Sequence, residues 1–140
     1  MKQLFSLIVV ALFFVGCASQ KELQLLQTTY SSCLNEQKLS SPAEFLGETA
    51  ENLVATQQGA QLNLNFDVRT LCNAQLNLEI KHEDNQITIT VVNNVRERVE
   101  CACVRKVSTS VSNLKSGNYE IFVKNSRGDL LTSLSNVYFK

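Results

Sequence analysis

Apolar and polar residues alternate through much of the chain after residue 60. Leu62, Leu64, Phe66 and Val68 alternate with Asn63, Asn65, Asp67 and Arg69. A side-chain period of two is that of a half-buried β-strand. The pattern returns at Leu76, Leu78 and Ile80, and again at Ile87, Ile89 and Val91, with His82-Glu83-Asp84-Asn85 read as the turn of a hairpin. Asn52 to Thr56 reads as an earlier short strand with Gln57-Gln58-Gly59 as its turn. Further strands are expected over Val104 to Val111 and around Tyr119, Ile121 and Val123. After the turn Asn125-Ser126-Arg127-Gly128, Leu130–Leu134 and Asn136–Phe139 give two last short strand signals. No long amphipathic helix alternates with these runs, which argues against a parallel α/β sheet. The fold class this predicts is mainly β: an antiparallel sandwich of about seven strands.

The N-terminal part is less regular. Leu23, Leu25 and Tyr30 fit a strand, while Leu23, Leu26 and Tyr30 also fit a helical face. Thr28-Thr29 and Ser31-Ser32 lower helix propensity, so extended structure is preferred. Ser41-Pro42-Ala43-Glu44 has the order of a capping box with Pro at the first helical position. It predicts a short N-terminal helix to about Leu46, ended near Gly47.

The first residues carry a different signal. Lys2 precedes an apolar run from Leu4 to Val15 that only Ser6 interrupts. About twelve helical residues span roughly 18 Å, short of a ~30 Å hydrocarbon core. This is the size of a signal-peptide apolar region. Phe14-Val15-Gly16-Cys17 resembles a lipobox, in which small residues precede the cysteine that becomes the mature N-terminus. The expected organisation is a lipoprotein signal peptide over 1–16, a tether over 17–22 starting at lipidated Cys17, and a β-sandwich domain with an N-terminal extension over 23–140. No Asp follows Cys17, the residue that favours inner-membrane retention in enterobacteria. The expected location is the cell envelope, at the outer membrane.

Export changes the meaning of the other cysteines. Five occur in all, so lipid on Cys17 leaves Cys33, Cys72, Cys101 and Cys103. Beyond the inner membrane thiols are oxidised, so disulfides are favoured over a four-cysteine metal site. An extended C-x-C sets its Cα atoms ~6.5–7 Å apart, at the limit of bridging range. The expected bridges therefore join Cys33 and Cys72 each to one of Cys101 and Cys103, with both assignments open.

Leu114-x-x-Gly117-x-Tyr119 resembles the corner before a late strand in immunoglobulin-like and fibronectin-type domains, where a Tyr bonds back to the backbone. Cys72, Cys101, Cys103, Asn113, Leu114, Gly117 and Tyr119, together with the lipobox, also resemble small Bacteroidetes-type lipoproteins of unassigned function. That resemblance covers the last half of the chain. It implies an immunoglobulin-like sandwich at the envelope and brings no substrate.

Chemistry is sparse. Thirteen basic and thirteen acidic residues cancel, leaving no global field for nucleic acid. His82 is the single histidine, read as a solvated turn residue. Asp67, Glu83 and Asp84 are read as solubilising carboxylates. No G-x-S-x-G, H-E-x-x-H or phosphate-binding loop is present. Arg96, Arg98, Arg105 and Lys106 form a local basic cluster as a candidate site for an anionic envelope glycan or phosphate. The resulting expectation is a non-enzymatic, lipid-anchored protein without a cofactor, binding an envelope protein or glycan through its loops. The alternative is a small envelope enzyme or enzyme inhibitor acting through the 93–100 loop.

Overall fold

The computed structural model describes residues 22–140. Lipobox, Cys17 and most of the proposed tether lie outside the described residues. Nine strands occur among them: β1 Gln24–Tyr30, β2 Leu34–Lys38, β3 Thr49–Gln58, β4 Gln61–Leu71, β5 Gln75–Glu83, β6 Gln86–Asn94, β7 Cys101–Ser112, β8 Gly117–Asn125 and β9 Leu130–Phe139. They form two sheets. The first runs β3-β4-β7-β1, with β2 also paired to β7, and the second runs β5-β6-β8-β9.

Alternation decides which side chains meet between the sheets. Leu62, Leu64, Phe66 and Val68 of β4 and Val107 and Val111 of β7 come from the first sheet. They share one buried cluster with Ile87, Ile89 and Val91 of β6 and Ile121 and Val123 of β8. Burying a side chain of this size contributes about 1.5–3 kcal/mol, so this face-to-face contact is the main stabilising term. Tyr30 of β1 adds to one side of it, packing against the core. Burial pushes its phenol above the ordinary tyrosine value, and the backbone at Leu78 partly opposes this.

Several expectations need correction. The sheets hold nine strands, not about seven, because the N-terminal segment supplies β1 and β2. The second sheet is mixed, not antiparallel: β6 and β8 pair in parallel, Ile87 opposite Ile121 and Ile89 opposite Val123. Between them the chain crosses to the first sheet to lay down β7 and then crosses back. Each crossing reverses the chain, so β8 arrives with the direction of β6. In the immunoglobulin arrangement the strand after the first sheet-to-sheet crossing lies beside the late corner strand. Here β5 takes the edge and its hairpin partner β6 takes that inner place.

The predicted helix does not form. Only a 3₁₀ turn over Pro42–Glu44 is present, and the Ser41 side chain makes no capping bond. Glu44 instead accepts a 2.8 Å hydrogen bond from the Ser40 amide. Phe45 then leaves in extended conformation and packs on a second cluster of Leu39, Leu71 and Ala102. Covering that apolar patch outweighs the few tenths to about 1.5 kcal/mol a local cap can give. His82 also departs from expectation, as it belongs to β5 opposite Ile87; the turn is Asp84-Asn85 alone. Leu130–Leu134 and Asn136–Phe139 are one strand, β9, in which Asn136 takes a positive φ of 59°.

The corner before β8 has the anticipated geometry. Tyr119 is buried and its hydroxyl donates to the Lys115 carbonyl at 2.8 Å. Tyr119→Phe keeps the ring and removes that bond, so a loss of about 1 kcal/mol is expected in denaturant unfolding. An unchanged midpoint would mean that water serves the corner equally well.

Candidate binding site

The two ends of the sheets differ chemically. Gln24 at the start of β1 lies opposite Ser112 at the end of β7, and Asn113 donates to the Glu22 carbonyl at 3.0 Å. The described chain therefore begins at this end. Cys101, the first residue of β7, stands at the other. Twelve extended residues put the two ends roughly 35–40 Å apart.

Both disulfides gather at the Cys101 end. Cys33 pairs with Cys103 and Cys72 with Cys101, each with Cα atoms 5.5 Å apart. The assignment left open by the sequence is thereby fixed. β1 and β2 both pair with β7, so the segment between them carries Cys33 past Cys103. The corner after β4 brings Cys72 to Cys101, and the Cys72 amide donates to the Cys101 carbonyl at 3.0 Å. The sulfurs of Cys33, Cys72 and Cys103 lie within 4.8 Å of one another. Thiolates so spaced are of the kind that holds zinc, but bridged sulfurs carry no charge to offer a metal.

Beside the disulfides a cleft of about 250 Å³ is lined by Phe45, Leu46, Gly47, Glu48, Leu71, Asn93, Val95, Arg96, Arg98 and Arg127. Four chain segments meet there: the run from the 3₁₀ turn into β3, the end of β4, the end of β6 with the loop after it, and the β8–β9 turn. Asn93 ties the sheets together at its base, donating to Glu48 Oε1 at 2.7 Å and Thr70 Oγ1 at 3.1 Å. Its Oδ1 is buried without a partner.

Arg127 is held by its own turn. Buried Asn125 accepts hydrogen bonds at Oδ1 from the amides of Arg127 and Asp129, at 3.0 and 2.9 Å. It also donates to Asp129 Oδ2 at 2.8 Å, and that oxygen accepts from Arg127 Nε at 3.1 Å. Gly128, at a φ of +89°, lets the chain turn back. A Cβ on Gly47 would come within 3.1 Å of the Arg127 guanidinium, and Gly47 has a φ of +131°. The positive φ is what favours glycine there, since the end of the flexible Arg127 side chain can shift by a few tenths of an ångström.

The basic cluster read from the sequence is therefore split. Arg96 and Arg98 line the cleft. Arg105 and Lys106 are neighbours on β7 and point to opposite faces. Arg105 is half-buried and its Nη2 donates to the Cys72 carbonyl at 3.1 Å, bracing the disulfide corner. Exposed Lys106 borders a shallow hollow with Asn52, Asn65 and Asp67 on the outside of the first sheet. Arg127 was missed as a site residue, because nothing local in Asn125-Ser126-Arg127-Gly128 says more than a turn. Phe45 and Glu48 were missed because only contacts with distant strands bring them to the cleft. Asn93 fell inside the 93–100 loop read as an alternative site, but its bonds to Glu48 and Thr70 were not foreseen.

The opposite end holds a second cleft, with Leu23, His82, Asp84, Lys115 and Tyr119. The exposed His82 ring lies 6.1 Å from the Tyr119 ring, centre to centre. Exposed Glu83 pairs with Lys81, which holds its carboxyl below the usual range. Comparison with known protein families, curated proteins and solved structures gives no match.

Proposed function

We propose that this chain is a non-enzymatic cell-envelope lipoprotein, anchored through Cys17 at the outer membrane. It presents a binding site for an envelope protein or glycan at its far end. The observation that carries this reading is the polarity of the domain. Glu22 leaves the structure at one end, and the arginine-lined cleft and both disulfides lie at the other. A tether on one side and clustered loops on the opposite side suit a domain that meets a partner away from the membrane. Two lipid chains or more on Cys17 would give lasting attachment.

The immunoglobulin-like reading of the sandwich and the kinship with Bacteroidetes-type lipoproteins belong to the same proposal. The Tyr119 corner and the adjacency of β4 and β7 support the first, with the β5–β6 hairpin inverted relative to that arrangement. The single histidine lines the tether-side cleft, so it does not serve the arginine cleft as a base.

Anchorage is tested by Cys17→Ser. The variant should accumulate as soluble or uncleaved protein, and metabolic labelling with a clickable fatty acid should mark only the wild type. Label on the variant, or on neither form, would refute the anchor. A pull-down of the lipidated protein from solubilised membranes should give a stoichiometric partner; turnover of an envelope substrate would instead favour an enzyme.

A further inference from the structure

We infer that the cleft at the disulfide end takes an anionic saccharide: a hydroxylated ring bearing a carboxylate or phosphate, gripped by Arg96, Arg98 and Arg127. This rests on the binding reading above and names the ligand of that site. The first reason is the distribution of cations. All five arginines of the chain, residues 69, 96, 98, 105 and 127, lie in the disulfide half of the domain. Lys115 borders the cleft at the tether end. The planar guanidinium fork matches carboxylate and phosphate oxygens in pairs, which an ammonium does not.

Preorganisation is the second reason. Asp129 engages the Nε of Arg127 and leaves its terminal nitrogens uncommitted to that carboxylate. The Asn125 turn and the Asp129 contact at Nε set where this guanidinium stands before any ligand arrives. No carboxylate pairs with Arg96 or Arg98 within salt-bridge distance among the described residues.

The third reason separates a sugar from a simple anion or an acidic peptide. Glu48 sits in the same cleft, and only its Oε1 is engaged, by Asn93. Inorganic phosphate has only one or two P–OH protons to offer that carboxylate and sets most of its negative charge against it. A run of acidic residues would add further carboxylates beside it. A ring with hydroxyl groups supplies donors for Glu48 while its anionic group faces the arginines. Leu46, 91% exposed, and Phe45 give an apolar edge for the C–H face of such a ring. A space of about 250 Å³ is just below the range of drug-sized ligand pockets, suiting one sugar unit in preference to a peptide segment.

The test is calorimetric titration of the full-length protein in detergent with glucuronic acid, glucose 6-phosphate, glucose, inorganic phosphate and a di-glutamate peptide. The result expected is saturable binding of at least one anionic sugar at about millimolar strength, with glucose and phosphate at least tenfold weaker. Whichever of the first two binds tells carboxylate from phosphate. Arg98→Ser and Arg127→Ser should each weaken that binding about tenfold with unchanged thermal midpoints, while Lys106→Ser leaves it unaltered. Phosphate or the peptide binding as well as the sugars, or no saturable binding by either anionic sugar, would overturn the inference. Failure of the fatty-acid label at Cys17 would sink the anchorage alone, since this titration does not depend on the lipid.

Discussion

Replacing Cys33 and Cys103 together by alanine is expected to lower the unfolding free energy by about 4 kcal/mol. The two residues are 70 apart in sequence, and in the chain-entropy view a cross-link over such a loop removes about that much freedom from the unfolded chain. Alanine is the suitable replacement because Cys103 is buried, and a serine hydroxyl there would seek a partner. The loss should begin at one edge. β1 and β2 pair with β7 alone in the first sheet, and most of their side chains are exposed or half-buried. Amide exchange should therefore accelerate first over residues 24–38. The Cys72–Cys101 bridge spans 29 residues and should cost about 3.5 kcal/mol when removed as a pair. Its loss frees the corner between β4 and β5 and loosens the base of the arginine cleft. Equal denaturation midpoints for wild type and either double variant would show that the bridges do not contribute to stability.

Phe66→Ala should cost about 3–5 kcal/mol, the range for emptying a large buried aromatic site. Phe66 is 2% exposed, lies opposite Val107 and belongs to the cluster shared by both sheets. Its neighbours are strands fixed by hydrogen-bonded ladders on both sides, so they cannot collapse into the vacancy. Phe122 is a useful control. It lies between buried Ile121 and Val123 on β8, hence on the opposite face, with Lys124 5.9 Å from its ring centre. Phe122→Ala should cost less than half as much. Equal losses at both positions, measured by urea unfolding, would mean that the core is not where the alternation puts it.

The local pattern was enough to locate most strands. Leu62 to Val68, Leu76 to Ile80 and Ile87 to Val91 declare themselves because period-two alternation depends only on residues close in sequence, and each run was recovered. The Tyr119 corner was legible for the same reason, since its hydroxyl bonds only four residues back. The cysteine spacing narrowed the pairings because an extended C-x-C bridges poorly within itself. Beyond such short spans the sequence is silent. Nothing in Ile87–Val91 reveals that Ile121–Val123 will run parallel beside it, because that depends on how often the chain crosses between sheets. Ser41-Pro42-Ala43-Glu44 reads locally as a helix start, yet only a 3₁₀ turn forms and Ser41 makes no capping bond. The apolar patch of Leu39, Leu71 and Ala102 then drew Phe45 away, and that patch exists only after the sheets assemble. The candidate site divides along the same line. Arg96 and Arg98 were visible as neighbours in sequence, but pleating separated Arg105 from Lys106. Arg127 joined them only because the β8–β9 turn ends at the same edge of the domain. Periodicity is written in adjacent residues, whereas a binding cleft is a coincidence of distant ones, and only the packed sheets bring those together.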